Sequence, residues 1–173
     1  MDTLTQLRLS AAYNRWVNTH LYDACAGLSA ADYRADLGAF FRSVHGTLNH
    51  LLLGDLLWQA RIRGTAPPAS RLDAELAPDL PALRRRQAQA DAVLRDYLQT
   101  CRETDLTQPV RYTSVVTGKV MTLPRWTALT HLFNHQIHHR GQLTALLSRL
   151  GVDYGDIDLV WMPGVAHVDE AGT

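Results

Sequence analysis

Apolar residues recur every three or four positions in four long stretches of the chain, the spacing that places side chains on one face of an α-helix. We predict helices over residues 4–26, about 38–63, 79–103, and from Pro124 to about Leu150. Gly27, Gly64 and Gly151 follow three of these stretches, and glycine often ends a helix. Four long helices without an internal repeat predict an all-α fold, a four-helix bundle.

A different pattern separates the third and fourth helices. Two runs of strand-favouring residues, Val110–Thr113 and Lys119–Leu123, flank a Thr117-Gly118 turn, which predicts a small β-hairpin before the last long helix. A chain of 173 residues is long enough for one domain. We expect a single domain at 1–165 and a flexible C-terminal tail at 166–173.

Charge and composition argue against several classes of function. Lys and Arg together number 17, as do Asp and Glu, so the formal net charge is zero and no basic stripe favours nucleic-acid binding. No apolar run approaches the roughly 20 residues that cross a membrane. Residues 1–30 also lack the basic, then apolar, then small-residue segments of a signal peptide. Cys25 and Cys101 form neither a disulfide framework nor a CxxC motif. We therefore expect a cytoplasmic protein that binds neither nucleic acid nor membrane.

Histidines are concentrated in the last predicted helix. The chain has eight, and four of them lie within residues 131–139, where an even spread would place about 0.4. His131, His135 and His139 are one turn apart along one line, with His138 on the same side. Imidazoles one turn apart can converge on one metal ion, and the pairs 131/135, 135/138 and 135/139 are all compatible with this.

A third ligand has to come from another helix. His50 is the first candidate, because Gly46 and Gly54, one turn before and after it, leave room for a close helix or a bound ion. His20 is the next candidate and His45 the third. A histidine cluster that responds to pH is the main alternative to a metal site.

The residue types present also limit the kind of metal site. Neither the Glu-x-x-His motifs of di-iron carboxylate bundles nor the His-Glu-x-x-His motif of zinc proteases occurs in the chain. Neutral imidazoles suit Zn, Ni, Co, Fe or Cu better than Mg or Ca, which prefer oxygen ligands. Three protein ligands leave coordination positions open, as in catalytic zinc sites.

Two segments of the chain resemble the DinB/YfiT-like family of metal-binding four-helix bundles: Gly38–Trp58 (GAFFRSVHGTLNHLLLGDLLW) and Leu132–Gln142 (LFNHQIHHRGQ). The resemblance covers nearly the whole chain. It implies an up-down-down-up bundle, a homodimer and a divalent metal, most often zinc or nickel. The family has one ligand in its second helix and an i, i+4 pair in its fourth, which correspond here to His50, His135 and His139.

The same resemblance suggests an activity. Some members of the superfamily resemble thiol-dependent enzymes, which transfer bacillithiol to electrophiles or use mycothiol in an isomerisation. The resemblance therefore implies a metal-dependent thiol S-transferase that takes a small-molecule thiol, such as these or glutathione, and acts on small electrophiles. The alternative is a non-catalytic metal-binding module in a stress or damage response.

Several other residues are candidates for the surroundings of such a site. Arg140 could bind a substrate carboxylate through two parallel hydrogen bonds from its guanidinium, although an exposed ion pair with an aspartate is the simpler expectation. Gln142 could hydrogen-bond a metal-bound imidazole. Tyr13 and Trp16 could line a pocket, but aromatic residues at helical spacing belong to the core in most cases. His131 and His138 are either supports for the ligands or ordinary surface residues.

Overall fold

Helices dominate the computed structural model, which describes residues 2–166 and so leaves 167–173 of the predicted tail outside the described residues. The helices are α1 (Thr3–Cys25), α2 (Ala30–Arg34), α3 (Val44–Arg63), α4 (Leu80–Thr100), α5 (Glu103–Leu106) and α6 (Arg125–Arg149). Strands β1 (Pro109–Thr113) and β2 (Val120–Pro124) form an antiparallel hairpin, and a 3₁₀ turn occupies Leu159–Trp161. The mostly helical fold and the small hairpin confirm these parts of the prediction. None of the described helices combines the length and the hydropathy needed to cross a membrane.

Side-chain caps determine where three of the long helices begin. Asp2, Ser43 and Asp79 each accept a hydrogen bond from a first-turn backbone amide of α1, α3 and α4. The second long helix begins at Val44 and not near residue 38, because Arg42 has a left-handed φ of 66° and Ser43 caps the helix after it. Gly64 ends the same helix in the left-handed conformation, at φ 68°.

Two apolar clusters form the core, one towards each end of the four long helices. One cluster joins the starts of α1 and α6 to the ends of α3 and α4, and includes Leu98 and Leu129. The other joins the ends of α1 and α6 to the starts of α3 and α4, and includes Leu21 and Leu147. Helix α3 packs most closely against α6, and the hairpin packs against both of them. The contact between α3 and α6 is therefore the place where the candidate ligands can meet.

A polar layer lies between these two clusters. Its six side chains are each at most 6% exposed: Asn14 and Asn18 of α1, Asp55 of α3, Gln87 and Asp91 of α4, and Arg140 of α6. Asn14 and Asn18 donate to Asp91 Oδ1 at 3.1 and 3.0 Å, while their own side-chain oxygens accept from Arg140. Gln87 donates to Asp55 Oδ2 at 2.6 Å. One guanidinium thus shares a buried region with two carboxylates, so the charge of each affects the others.

Replacing Asp55 with asparagine is expected to change how stability depends on pH. Burial, reinforced by Asp91, raises the pKa of Asp55 to about 7 in the folded chain, against about 3.9 when unfolded. The folded state therefore binds the proton of Asp55 more tightly, and the contribution of this group to the stability of the wild-type chain is lost as the pH rises from about 4 to about 7. Over this range the unfolding free energy of Asp55→Asn, relative to wild type, should rise by up to about 1.4 kcal/mol per pH unit.

Urea denaturation of both proteins in the presence of a chelator measures this difference. Since the histidines titrate in both proteins, their contribution cancels. A difference that stays constant from about pH 4 to about pH 7 would show that Asp55 is ionised throughout in the folded chain.

Candidate metal centre

His50 of α3 meets His135 and His139 of α6 where the two helices pack together. Nε2 of His50 lies 3.1 Å from Nε2 of His135 and 3.1 Å from Nε2 of His139. Each of the three residues offers a ring nitrogen within 4.8 Å of the other two, a group that could hold a metal ion. Spacing in the sequence left three histidine pairs open on α6, and the fold brings the 135/139 pair to His50. We refer to His50, His135 and His139 as the histidine triad.

Hydrogen bonds behind two of the rings determine which nitrogen carries hydrogen. Nδ1 of His50 donates to the Leu72 carbonyl at 2.9 Å, and Nδ1 of His139 donates to Oε1 of Gln142 at 2.9 Å. A carbonyl oxygen only accepts, so the hydrogen of each neutral ring is on Nδ1 and both Nε2 atoms present lone pairs. Two lone pairs on nitrogens 3.1 Å apart repel each other, and a cation between them turns the repulsion into attraction.

Two glycines in α3 allow the rings to come this close. A Cβ at Gly54 would lie 2.5 Å from Cε1 and 2.7 Å from Nδ1 of His135. A Cβ at Gly46 would collide with the carbonyl oxygen of Phe41, whose ring stacks on His50 with centroids 3.8 Å apart. The space expected around His50 is therefore filled by the His135 ring on one side and the Phe41 backbone on the other.

Burial favours the neutral form of the triad. It lowers the pKa of His50 to about 4 and the pKa of His135 to about 3, and it lowers the pKa of His139 as well. Repulsion between neighbouring protonated rings lowers the pKa of His50 and His135 further. Neutral imidazole is the form that binds metals, so near neutral pH the rings are ready to bind without first losing protons.

The donor set and its spacing fit a transition-metal ion. Nitrogens bound at about 2.0–2.1 Å to a tetrahedral zinc ion are about 3.4 Å apart, close to the two 3.1 Å separations of the triad. The other ring nitrogen of His135 is buried, and within residues 2–166 it has no hydrogen-bond partner. Three neutral nitrogens suit zinc, nickel, cobalt, iron or copper, whereas magnesium and calcium prefer oxygen ligands.

The two other candidates for a third ligand lie outside the triad. His20 is exposed, and its ring centroid lies 4.7 Å from that of Trp16. His45 is buried, but its ring nitrogens contact the Tyr33 hydroxyl at 3.1 Å and the Glu75 carboxylate at 2.9 Å. The His45 ring therefore links α3 to α2 and to the loop that follows α3.

His131 and His138 flank the triad along α6 without joining it. The ring centroid of His131 lies 4.5 Å from that of Trp58. His138 is exposed, and its Nε2 accepts a hydrogen bond from the Gln142 amide at 3.3 Å. Gln142 therefore donates to one histidine with its nitrogen and accepts from His139 with its oxygen, the supporting role considered for it from the sequence.

Replacing Gln142 with leucine is expected to lower the affinity for zinc by about 10- to 100-fold, because His139 loses the acceptor that holds its ring. Competition against a chromophoric chelator measures the change. Gln142→Glu is the matched control, since it keeps an oxygen for Nδ1 of His139 and should retain most of the affinity. Equal affinities for the leucine variant and the wild type would contradict a supporting role.

Arg140 occupies a different place from the one expected. It is 4% exposed and donates from Nη2 to the Asn14 carbonyl at 3.1 Å and to Oδ1 of Asn18 at 3.0 Å. The expectation of an exposed ion pair is wrong, because the side chain enters the polar layer and binds α1. Tyr13 and Trp16, considered for a pocket wall, pack against the apolar cluster that contains the end of α1.

Two clefts are each lined by at least two residues of the triad. The hairpin cleft has a volume of about 230 Å³ and includes His50, His135, Trp58, Arg61 and Tyr112 in its lining. The second, which we call the outer cleft, has a volume of about 520 Å³ and is also lined by the triad residues. A ligand in either cleft would therefore lie beside rings of the triad.

Three contributors to the site were not predicted from the sequence as site residues. Leu72 acts through its backbone carbonyl, which no side-chain pattern could reveal. Phe41 stacks on His50, and the nearby Gly46 was the one sequence feature that pointed to a close approach there. Arg61 enters the hairpin cleft through packing between α3 and the hairpin, which depends on tertiary structure.

Comparisons with known proteins agree with this architecture. The model of the DinB family matches residues 1–171. Protein DinB of Bacillus subtilis (strain 168) is 26% identical over an alignment of 152 residues, which covers 83% of this chain and 88% of that protein. The crystal structure of a DinB-like protein from Bacillus cereus ATCC 10987 is similar in fold, with a TM-score of 0.62 and 17% identity, over 82% of this chain and 90% of that one. The chain belongs to the DinB family.

Proposed function

We propose that the chain binds a divalent transition-metal ion, zinc or nickel, through His50, His135 and His139, and that it is a metal-dependent thiol S-transferase acting on small electrophiles. One observation carries the proposal of a metal site. The Nε2 atoms converge at 3.1 Å, and hydrogen bonds to Leu72 and Gln142 turn two of their lone pairs towards the same point.

The chain's own residues would prepare the site for this chemistry. A divalent ion with three neutral ligands, when bound, lowers the pKa of a thiol or water that it coordinates. The Leu72 carbonyl and Gln142 hold two of the imidazoles in position, which saves their reorientation on binding. Phe41 covers one face of His50 and shields it from water.

The proposed reaction needs two substrates next to the triad, and the two clefts provide the space. The thiol releases its proton to solvent, and its sulfur forms a bond to an electrophilic carbon. The electron pair displaced from that carbon stays with the leaving group, or moves onto the neighbouring atom where the sulfur adds to a double bond. The volumes of about 230 and 520 Å³ suit small molecules.

Metal analysis tests the ligand assignment. Protein purified without a histidine tag is expected to carry zinc or nickel, and His50→Ala, His135→Ala and His139→Ala should each lose most of it. His138→Ala is the matched control, because this exposed histidine neighbours His139 on α6 but stays outside the triad. Unchanged metal content in all three triad variants would overturn the assignment.

Thermal denaturation and turnover test the enzymatic part. Bacillithiol, mycothiol and glutathione are added separately to metal-loaded wild type and to His135→Ala. At least one thiol should raise the Tm of the wild type alone, and should be consumed with a small electrophile in its presence. If metal binds but no thiol raises the Tm or reacts, the transferase proposal is rejected in favour of a metal-binding module in a stress or damage response.

We further propose that residues 1–165 form one domain with the up-down-down-up bundle topology. The two core clusters support this, since the starts of α1 and α6 share a cluster with the ends of α3 and α4. The homodimer, the cytoplasmic location and the lack of nucleic-acid binding stay predictions. Light scattering of the purified chain measures the first of these.

A further inference from the structure

Arg61 of α3 is held between two aromatic rings in the hairpin cleft. Its guanidinium carbon lies 4.5 Å from the ring centroid of Trp58 and 4.2 Å from that of Tyr112. The two rings make an edge-to-face contact with centroids 5.3 Å apart, so α3 and β1 together position the cation. Partial burial lowers the pKa of Arg61, but guanidinium stays charged at any ordinary pH.

This cation has no counter-ion in the described part of the chain. Within residues 2–166, the Arg61 side chain makes no ion pair with an Asp or Glu and donates no hydrogen bond. Arg63 on the same helix, by contrast, donates to the Gln59 carbonyl at 3.3 Å. Partly buried arginines are usually paired, so Arg61 keeps its N–H donors available in a cleft.

The rest of the cleft adds no negative charge. Its lining contains histidine, serine, glycine, aliphatic and aromatic residues, and Arg61 is its one formally charged member. The triad residues His50 and His135 form part of the same lining. A chain with zero net charge thus presents a locally positive cleft, which favours an anionic ligand.

We propose that Arg61 binds the carboxylate of the substrate, so that the hairpin cleft selects small carboxylic acids whose other end reaches the histidine triad. This inference rests on the proposed function, since it names the class of ligand that the triad would act on. A planar guanidinium matches a planar carboxylate with two parallel hydrogen bonds. A single formal cation in this lining suits a monoanion better than a phosphate dianion, which would need further positive charge.

The spacing along α3 sets the size of such a ligand. Gly54, which touches the His135 ring, is seven residues before Arg61, a separation of about 10 Å along the helix axis. The Arg61 side chain covers part of this distance, because its guanidinium lies over the ring of Trp58, one turn earlier. A chain of a few methylene groups between a carboxylate and a metal-binding group is therefore the matching length.

Binding of ω-mercaptocarboxylates, from mercaptopropionate to mercaptohexanoate, tests the inference when each acid is compared with its methyl ester. Isothermal titration calorimetry on zinc-loaded wild type should show that the acid of best length binds at least about tenfold tighter than its ester. Arg61→Gln should bring the ratio of the acid's affinity to the ester's close to unity. Arg61→Lys should give an intermediate ratio, because lysine keeps the charge but cannot donate two parallel hydrogen bonds. Arg63→Gln, the matched control, should keep the wild-type ratio.

Controls on each variant and a comparison without a thiol separate this inference from the proposed function. Zinc content and Tm of each variant establish that the triad and the fold are intact. Hexanoate and methyl hexanoate, which carry no thiol, repeat the comparison on the metal-free chain. A preference for hexanoate that Arg61→Gln abolishes supports the carboxylate site even if no thiol binds. Equal binding of acid and ester to the wild type, or an unchanged ratio in Arg61→Gln, overturns the inference and leaves the metal site standing.

Discussion

Replacing Arg140 with methionine is expected to lower the free energy of unfolding at neutral pH by about 3–5 kcal/mol, because the substitution leaves the buried Asp91 and the ionised fraction of Asp55 without their cation. Arg140 is 4% exposed, and Asn14 and Asn18 connect it to Asp91 by hydrogen bonds. Methionine fills similar space but donates nothing, so the side-chain oxygens of both asparagines lose a donor as well. Urea denaturation followed by circular dichroism measures the loss.

Two further variants identify the cause of this loss. Arg149→Met changes an exposed arginine of the same helix, whose bond to the Leu37 carbonyl is at the surface, and should cost less than about 1 kcal/mol. Adding Asp91→Asn to Arg140→Met should restore part of the stability, because it removes one unpaired charge. If the single variant Arg140→Met is as stable as the wild type, the carboxyl groups of Asp55 and Asp91 are neutral in the absence of Arg140.

Replacing Gly54 with alanine is expected to lower zinc affinity by about 100-fold or more and the free energy of unfolding by about 1–3 kcal/mol. The new Cβ would lie 2.5 Å from Cε1 of His135, a distance that the ring can relieve only by moving. His135 is enclosed between α3 and the other two rings of the triad, so this movement takes its Nε2 away from His50. Chelator competition and urea denaturation measure the two effects.

Gly141 provides the matched control for this substitution. It is also a helical glycine, one that belongs to α6, but a Cβ there would meet nothing within 4 Å. Gly141→Ala should therefore bind zinc as the wild type does and gain up to about 1 kcal/mol from the higher helix propensity of alanine. Wild-type zinc affinity in Gly54→Ala would show that the close contact with His135 does not position the ligand.

Local spacing in the sequence was sufficient to predict the helices and the face on which the histidines lie. The i, i+4 relation of His135 and His139 is a property of any α-helix, so it could be predicted without the rest of the fold. The pairing with His50 needed more, namely the glycines on either side of it and the family resemblance. The start of α3 was placed too early, because Phe40 and Phe41 extend the apolar pattern although Ser43 caps the helix after them.

The remaining features depend on partners far away in the chain. Arg140 was expected at the surface because its neighbours in sequence do not show that Asn14 and Asn18 of α1 face it. The position of the Arg61 guanidinium depends on Tyr112, a hairpin residue that packs onto α3 only in the folded chain. Contacts of this kind depend on how distant elements pack against one another, and this packing cannot be deduced from the periodicity of one helix.

The loop between α3 and α4 contributes more to the site than its lack of helix suggests. Its Leu72 carbonyl orients His50, and the side-chain oxygen of Asn49, the residue before His50, accepts from the amides of Leu76 and Ala77 at 2.7 and 3.1 Å. Coupling free energies are reciprocal, so a loop that raises the metal affinity of His50 is itself made more rigid by the bound metal. Metal occupancy and protection of this loop from proteolysis or hydrogen exchange are then governed by one equilibrium.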